Sequence, residues 1–215
     1  MKRVIVLLIM MVPLLTATAQ ITHDARGSHD GTADEILKKA AARFDKSVGF
    51  TATVTMTDGS GRQTMQQSAR VVYSKGRYRI EAGDQELLSD GKTVWQWNKS
   101  TREVMVTAAE GSEDNLLNPA QLLAHWDKQF RAKYIRTEPD GTAVIDLQPR
   151  SAHNYHKIRL MVVEKSGLLR RMEVHRFDSG REVYEISGFK NVSATDSQFV
   201  FDEKKHTGVE IIDMR

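Results

Sequence analysis

LLSDGKTVWQWN, residues Leu87–Asn98, is the stretch on which the fold turns. Asp90-Gly91 between two strand-like runs signals a tight reversal. Beyond it Thr93, Trp95 and Trp97 recur at spacing two, so their side chains leave one face of a strand. Two tryptophans on one face make a broad apolar surface that must be covered. Two coverings are open at this point: an ordinary packed core, or a curved sheet whose face looks into a hollow.

The same period runs outward on both sides. Phe50, Ala52, Val54 and Met56 alternate with Thr51, Thr53 and Thr55, as in a half-buried strand. Asp58-Gly59-Ser60-Gly61 turns the chain into Arg62–Ser74, and Ser74-Lys75-Gly76 turns it again into Arg77–Ala82, with Tyr78 and Ile80 on one face. Glu103–Thr107 follows, then a soft acidic loop at Ala108–Asn115. Asn118-Pro119 predicts a helix start, with Leu122, Leu123 and Trp126 on its greasy side. A short apolar helix between two sets of strands is a plug or a lid.

The second set comprises Lys133–Arg136, Ala143–Leu147, Lys157–Val163, Leu169–His175 and Glu182–Phe189, with Phe199–Phe201 and Val209–Ile211 as last apolar anchors. Ahead of all the strands, Thr32-x-x-Glu35 reads as a capping box, and Ile36, Leu37, Ala40, Ala41 and Phe44 form a helical apolar stripe. Strands at this spacing with glycine-bearing turns predict a mainly β (α+β) antiparallel meander, curled or closed.

The chain has 215 residues, 31 Lys+Arg against 28 Asp+Glu, and no cysteine. Disulfides and cysteine lipidation are therefore excluded. Lys2 and Arg3, the apolar run Val4–Leu15 and Ala17-Thr18-Ala19 read as a cleaved export signal over residues 1–19, with Gln20–Gly31 a loose polar tail and 32–215 a single domain. Removing the leader leaves 29 cations against 28 anions, no electrostatic case for nucleic acid. No nucleophile elbow, phosphate loop or dinucleotide fingerprint is present, and His125, His153, His156, His175 and His206 lack metal-ligand spacing. The expectation is no catalytic residue, no metal and no cofactor. An exported meander with two amphipathic helices suits holding something apolar.

At this level SDGKTVWQWN, the helix Asn118-Pro119-Ala120-Gln121-Leu122-Leu123, Leu147-Gln148-Pro149, and the ending Phe199-Val200-Phe201 with Gly208-Val209-Glu210-Ile211-Ile212-Asp213 resemble the LolA family of periplasmic lipoprotein carriers. Phe50-x-Ala52-x-Val54-x-Met56 fits its first-strand pattern in part. The resemblance spans about Ala33 to Asp213. It implies an incomplete antiparallel barrel, a half-barrel, with helices over its concave apolar face. It implies acylated lipoproteins as cargo, an inner-membrane ABC exporter as donor, an outer-membrane acceptor, and a monomer in the periplasm. The lipid cavity is then expected at Phe50, Val54, Tyr78, Ile80, Trp95, Trp97, Met172 and Val174, and the lid at Ile36, Leu37, Leu122, Leu123 and Trp126. Two other roles fit the scaffold: a carrier of another lipid such as a glycolipid, and a lipid- or lipoprotein-sensing module. One departure stands out. The family's basic-Arg-Pro turn, whose Arg helps hold the lid shut, is replaced by Tyr73-Ser74-Lys75-Gly76.

Overall fold

The computed structural model describes residues 31–44, 46, 48–109 and 119–215. The expected leader, nearly all of the expected tail, most of the acidic loop and the expected cap Asn118 lie outside the described residues. Helix α1 (Gly31–Phe44) leads into β1 (Val48–Thr57). Hairpins then add β2 (Gln63–Ser74), β3 (Arg77–Ala82), β4 (Gln85–Ser89), β5 (Thr93–Asn98) and β6 (Glu103–Ala108). Helix α2 (Pro119–Gln129) precedes a second meander of β7 (Phe130–Thr137), β8 (Thr142–Pro149), β9 (Tyr155–Val163), β10 (Leu168–Arg176) and β11 (Arg181–Asn191). A 3-10 turn at Asp196–Phe199 and β12 (Glu210–Asp213) complete the chain.

The twelve strands among the described residues share one sheet, in the order β12-β6-β5-β4-β3-β2-β1-β11-β10-β9-β8-β7. The first meander grows away from β1 in one direction. The second returns from the far edge until β11 pairs with β1. β7 and β12 lie at opposite ends of the order and do not pair, so the barrel stays incomplete. β12 lies parallel to β6, a departure from the expected antiparallel meander. β12 reaches that edge by a long connection after β11 and not by a hairpin from β6, so antiparallel pairing with β6 is not imposed. Helix α1 is already running at Gly31, which places Thr32 in its first turn rather than at the cap position.

Register propagates face identity from strand to strand. Phe50, Val71, Ile80, Leu87, Gln96, Met105 and Ile212 pair in succession across one arm. Val54, Tyr184, Met172, Leu160, Ile145 and Tyr134 do so across the other. The buried members of both rows belong to one apolar cluster with the stripes of α1 and α2. This is the helix-covered face.

Trp95 and Trp97 are not on it. They pair with Leu88 and Glu86 on β4 and with Val106 and Val104 on β6, one residue out of step with the rows above. They pack instead on the outer face with Val104, Val106, Phe201 and Val209. The Trp97 ring meets Phe201 at 5.4 Å and His206 at 4.2 Å. The expected placement of Trp95 and Trp97 in the hollow is thus overturned in favour of ordinary packing. Spacing two makes them co-facial, but the hairpin register and the C-terminal segment that crosses over them decide which face they share.

Candidate binding site

The site is built from two helical stripes laid on a sheet face. On α1, Ala33, Ile36, Leu37, Ala40 and Phe44 recur every three or four residues, so they form one side of the helix, and all are buried. On α2, Leu122, Leu123 and Trp126 do the same. Facing them are Phe50, Val54, Tyr78, Ile80, Met172 and Val174. The structure therefore brings eleven of the residues singled out from sequence into one cluster and leaves out Trp95 and Trp97. Sequence reasoning missed as wall residues Phe130, Ile145, Leu147, Ile158, Leu160 and Tyr184 from the second meander. Their alternation was visible, but nothing local said that this arm shares its wall with the first.

One end of this face is closed. Phe44 makes edge contacts with Phe50, Tyr73 and Phe189 at 6.2, 5.7 and 5.7 Å, and Phe50 stacks on Phe189 at 5.8 Å. The Arg43 guanidinium lies 5.0 Å from the Phe189 ring centre. Helix α1 is also tied to the β9–β10 turn. Lys39 Nζ donates to the Glu164 carbonyl at 2.9 Å and Arg43 Nη1 to the Ser166 carbonyl at 3.0 Å. Gly167 has φ +67°, and a Cβ there would stand 2.6 Å from the Lys39 carbonyl oxygen, so only glycine lets the turn come this close. Helices α1 and α2 meet across a cleft of about 480 Å³, bordered by Asp34, Lys38 and Ala42 on one side and Ala124, Trp126 and Asp127 on the other.

At the other end the same face turns polar. Glu182 and Tyr184 are buried, although each stands beside apolar wall residues, Val174 and Met56 for Glu182, Met172 and Val54 for Tyr184. Arg176 Nε donates to Glu182 Oε1 at 2.8 Å, Arg176 Nη2 donates to the same oxygen, and the Tyr184 hydroxyl donates to Oε2 at 2.7 Å. Burial, with the hydrogen bond to Glu182 behind it, pushes the Tyr184 phenol well above its ordinary range. Where the family's Arg-Pro turn is replaced, Lys75 and Gly76 both take positive φ, 49° and 83°, which closes a tight hairpin. The Gly76 amide donates to the Tyr73 hydroxyl at 2.9 Å, so the turn is pinned to a wall residue.

The outer face of β8 to β11 is ionic. Asp146 accepts from Arg159 Nε and Nη2 at 2.7 and 2.9 Å, and Glu173 meets Arg171 at 2.8 Å and His175 at 3.3 Å. Burial, then the Lys157 charge, hold the His175 imidazole below its ordinary value. Among the described residues no group of three or more His, Asp or Glu side chains is arranged to hold a metal ion.

The family model described as outer membrane lipoprotein carrier protein LolA matches residues 55–202. An outer-membrane lipoprotein carrier protein of Haemophilus influenzae is 28% identical over 165 residues, covering 75% of this chain and 78% of that protein. One from Serratia proteamaculans is 26% identical over 216 residues, covering 95% and 100%. A crystal structure of an uncharacterized conserved protein from Thermus thermophilus superposes with a TM-score of 0.59 at 13% identity, over 85% of this chain and 99% of that one, a likeness of fold.

Proposed function

Because the chain belongs to the LolA family of outer-membrane lipoprotein carrier proteins, we propose that it binds the acyl chains of lipoproteins released from the inner membrane and carries them across the periplasm to the outer membrane. The observation that carries this reading is the apolar face of an open half-barrel, covered by two helices rather than closed by further strands. An acyl chain gains roughly 0.8 kcal/mol per buried CH₂, so about fourteen methylenes gain on the order of 11 kcal/mol. A site held permanently open would release such cargo slowly. A flap that packs on the empty face competes with cargo and weakens net binding to a level that permits hand-over.

Helix α2 suits the flap. Leu122, Leu123 and Trp126 belong to the apolar cluster of the face, and the helix packs on α1 and on the edge strand β7 of an unclosed sheet. Helix α1, clamped to the β9–β10 turn and to the aromatic end, suits a fixed wall. Ile36 and Leu37 then line the site as wall, with Phe50, Val54, Tyr78, Ile80, Met172 and Val174 opposite them. In the same reading residues 1–19 are a removed export signal and 32–215 a monomeric carrier domain. An ABC exporter loads the carrier, an outer-membrane acceptor unloads it, and no bond of the cargo is made or broken. Depletion in the native host tests the role. Lipoproteins destined for the outer membrane should accumulate at the inner membrane, and their undisturbed sorting would refute it.

A further inference from the structure

We infer that Arg176, held by Glu182 and Tyr184, binds the carbonyl groups at the polar junction of an acylated cargo, where ester- and amide-linked chains meet the polypeptide. The inference rests on the carrier reading and adds to it a site for the part of the cargo that is not hydrocarbon.

Position comes first. Glu182 and Tyr184 lie in the rows that form the helix-covered face, next to Val174, Met56, Met172 and Val54. A carboxylate only 5% exposed on an apolar wall is costly to keep there. It is compensated by two guanidinium N–H groups and one phenol. Burying a charge pair brings little stability over an apolar replacement of the same size. Its presence on a lipid-facing wall points to a use.

Arg176 retains donors for that use. A guanidinium carries five N–H groups. Nε and Nη2 engage Glu182 along one edge, and Nη1 has no acceptor among the described residues. The Arg176 side chain is 30% exposed, so this remaining edge is reachable. Glu182 neutralises the guanidinium and stands beside it as a like charge to any incoming carboxylate. The site therefore favours a neutral carbonyl over a free anion.

Location along the face agrees. Met56 and Met65 pair across β1 and β2 beside Glu182, and Met65 is 38% exposed, forming a soft apolar lip next to the polar group. The opposite end is blocked by Phe44, Phe50, Tyr73 and Phe189. Chains thus run with methyl ends toward the aromatic block and their carbonyls at the methionine lip.

The test uses the leaderless carrier with two probes, a triacylated lipopeptide carrying ¹³C ester carbonyls and palmitate. The triple variant Arg176→Met/Glu182→Leu/Tyr184→Phe replaces the whole polar group, so no buried charge is orphaned. It should bind the lipopeptide about tenfold or more weakly, the size of a lost charged hydrogen bond, and lose clearly less affinity for palmitate. Isotope-edited infrared spectra should show the bound ester carbonyl at lower frequency in the wild type and not in the variant. Should the triple variant fail to fold, Arg176→Lys keeps the charge but lacks the second edge, and the same spectral loss is expected. Equal weakening of both probes, undiminished lipopeptide binding, or an unshifted carbonyl band in the wild type would each overturn the site while leaving the carrier reading intact. A wild type that fails to bind the lipopeptide at all would bring down both.

Discussion

Leu123 separates a flap from a wall. It is 1% exposed and packed into the cluster shared by α1, α2 and the sheet. Truncating a buried leucine to alanine costs about 2–5 kcal/mol. If α2 swings off the face on loading, that cost falls on the closed, empty protein alone, because the acyl chain replaces Leu123 in the loaded one. Leu123→Ala then moves two quantities in opposite directions. For a loss of about 2 kcal/mol, the melting temperature of a chain this size falls by roughly 4–8 °C. The closed state, being less favoured, competes less with cargo, and apparent affinity for a triacylated lipopeptide rises by up to about 30-fold. The rise is bounded by the population of the closed state in the wild type. Circular dichroism melting and a fluorescence titration on the same preparation measure both. A variant that melts lower and binds the same or more weakly would refute the flap, since Leu123 would then belong to the surface cargo touches.

Three further outcomes are expected. In variants retaining one tryptophan, lipopeptide loading should shift the emission of Trp126 and leave that of Trp97 unchanged, because Trp97 lies on the outer face against Phe201 and His206; a Trp97 response would contradict the face assignment. Gly167→Ala should cost more than about 1 kcal/mol, since its Cβ meets the Lys39 carbonyl and φ is positive, and hydrogen exchange should quicken in the second half of α1 but not in α2; equal quickening in both helices would mean that the turn does not hold α1 separately. His175 is depressed below its usual pKa of about 6.5 by burial first and Lys157 second. The unfolded chain thus binds that proton more readily, and the stability tied to the neutral imidazole, complete above about pH 6.5, is lost as pH falls through the lower folded value. Urea unfolding should accordingly show a smaller stability drop between pH 7 and pH 5 for His175→Asn than for the wild type; identical drops would remove His175 from the acid response.

Much of this architecture can be read locally. Alternation in Phe50–Met56 and Lys157–Val163, the glycine-bearing turns, and the stripe from Ile36 to Phe44 each reflect side-chain directions set by backbone geometry over a few residues. The wall residues Tyr78, Ile80 and Met172 came from family resemblance, and their shared face follows from register. The polar group of Arg176, Glu182 and Tyr184 is not legible in the sequence, because charged and aromatic residues near a hairpin look like surface in one dimension. Only pairing with β1 places Glu182 beside Met56 on the inner wall.

Taken alone, the chain of residues determined which segments read as strands and helices, that the strands form a meander, curled or closed (the open half-barrel was implied by family resemblance), and which residues of one strand look the same way. Tertiary structure decided which way that is. Trp95 and Trp97 are co-facial by period, yet they pack outward because Leu87 rather than Leu88 continues the inner row from Ile80, and because Phe201 and His206, about a hundred residues later, arrive to cover them. A period of two has two equivalent faces, and choosing between them takes contacts that no local pattern contains.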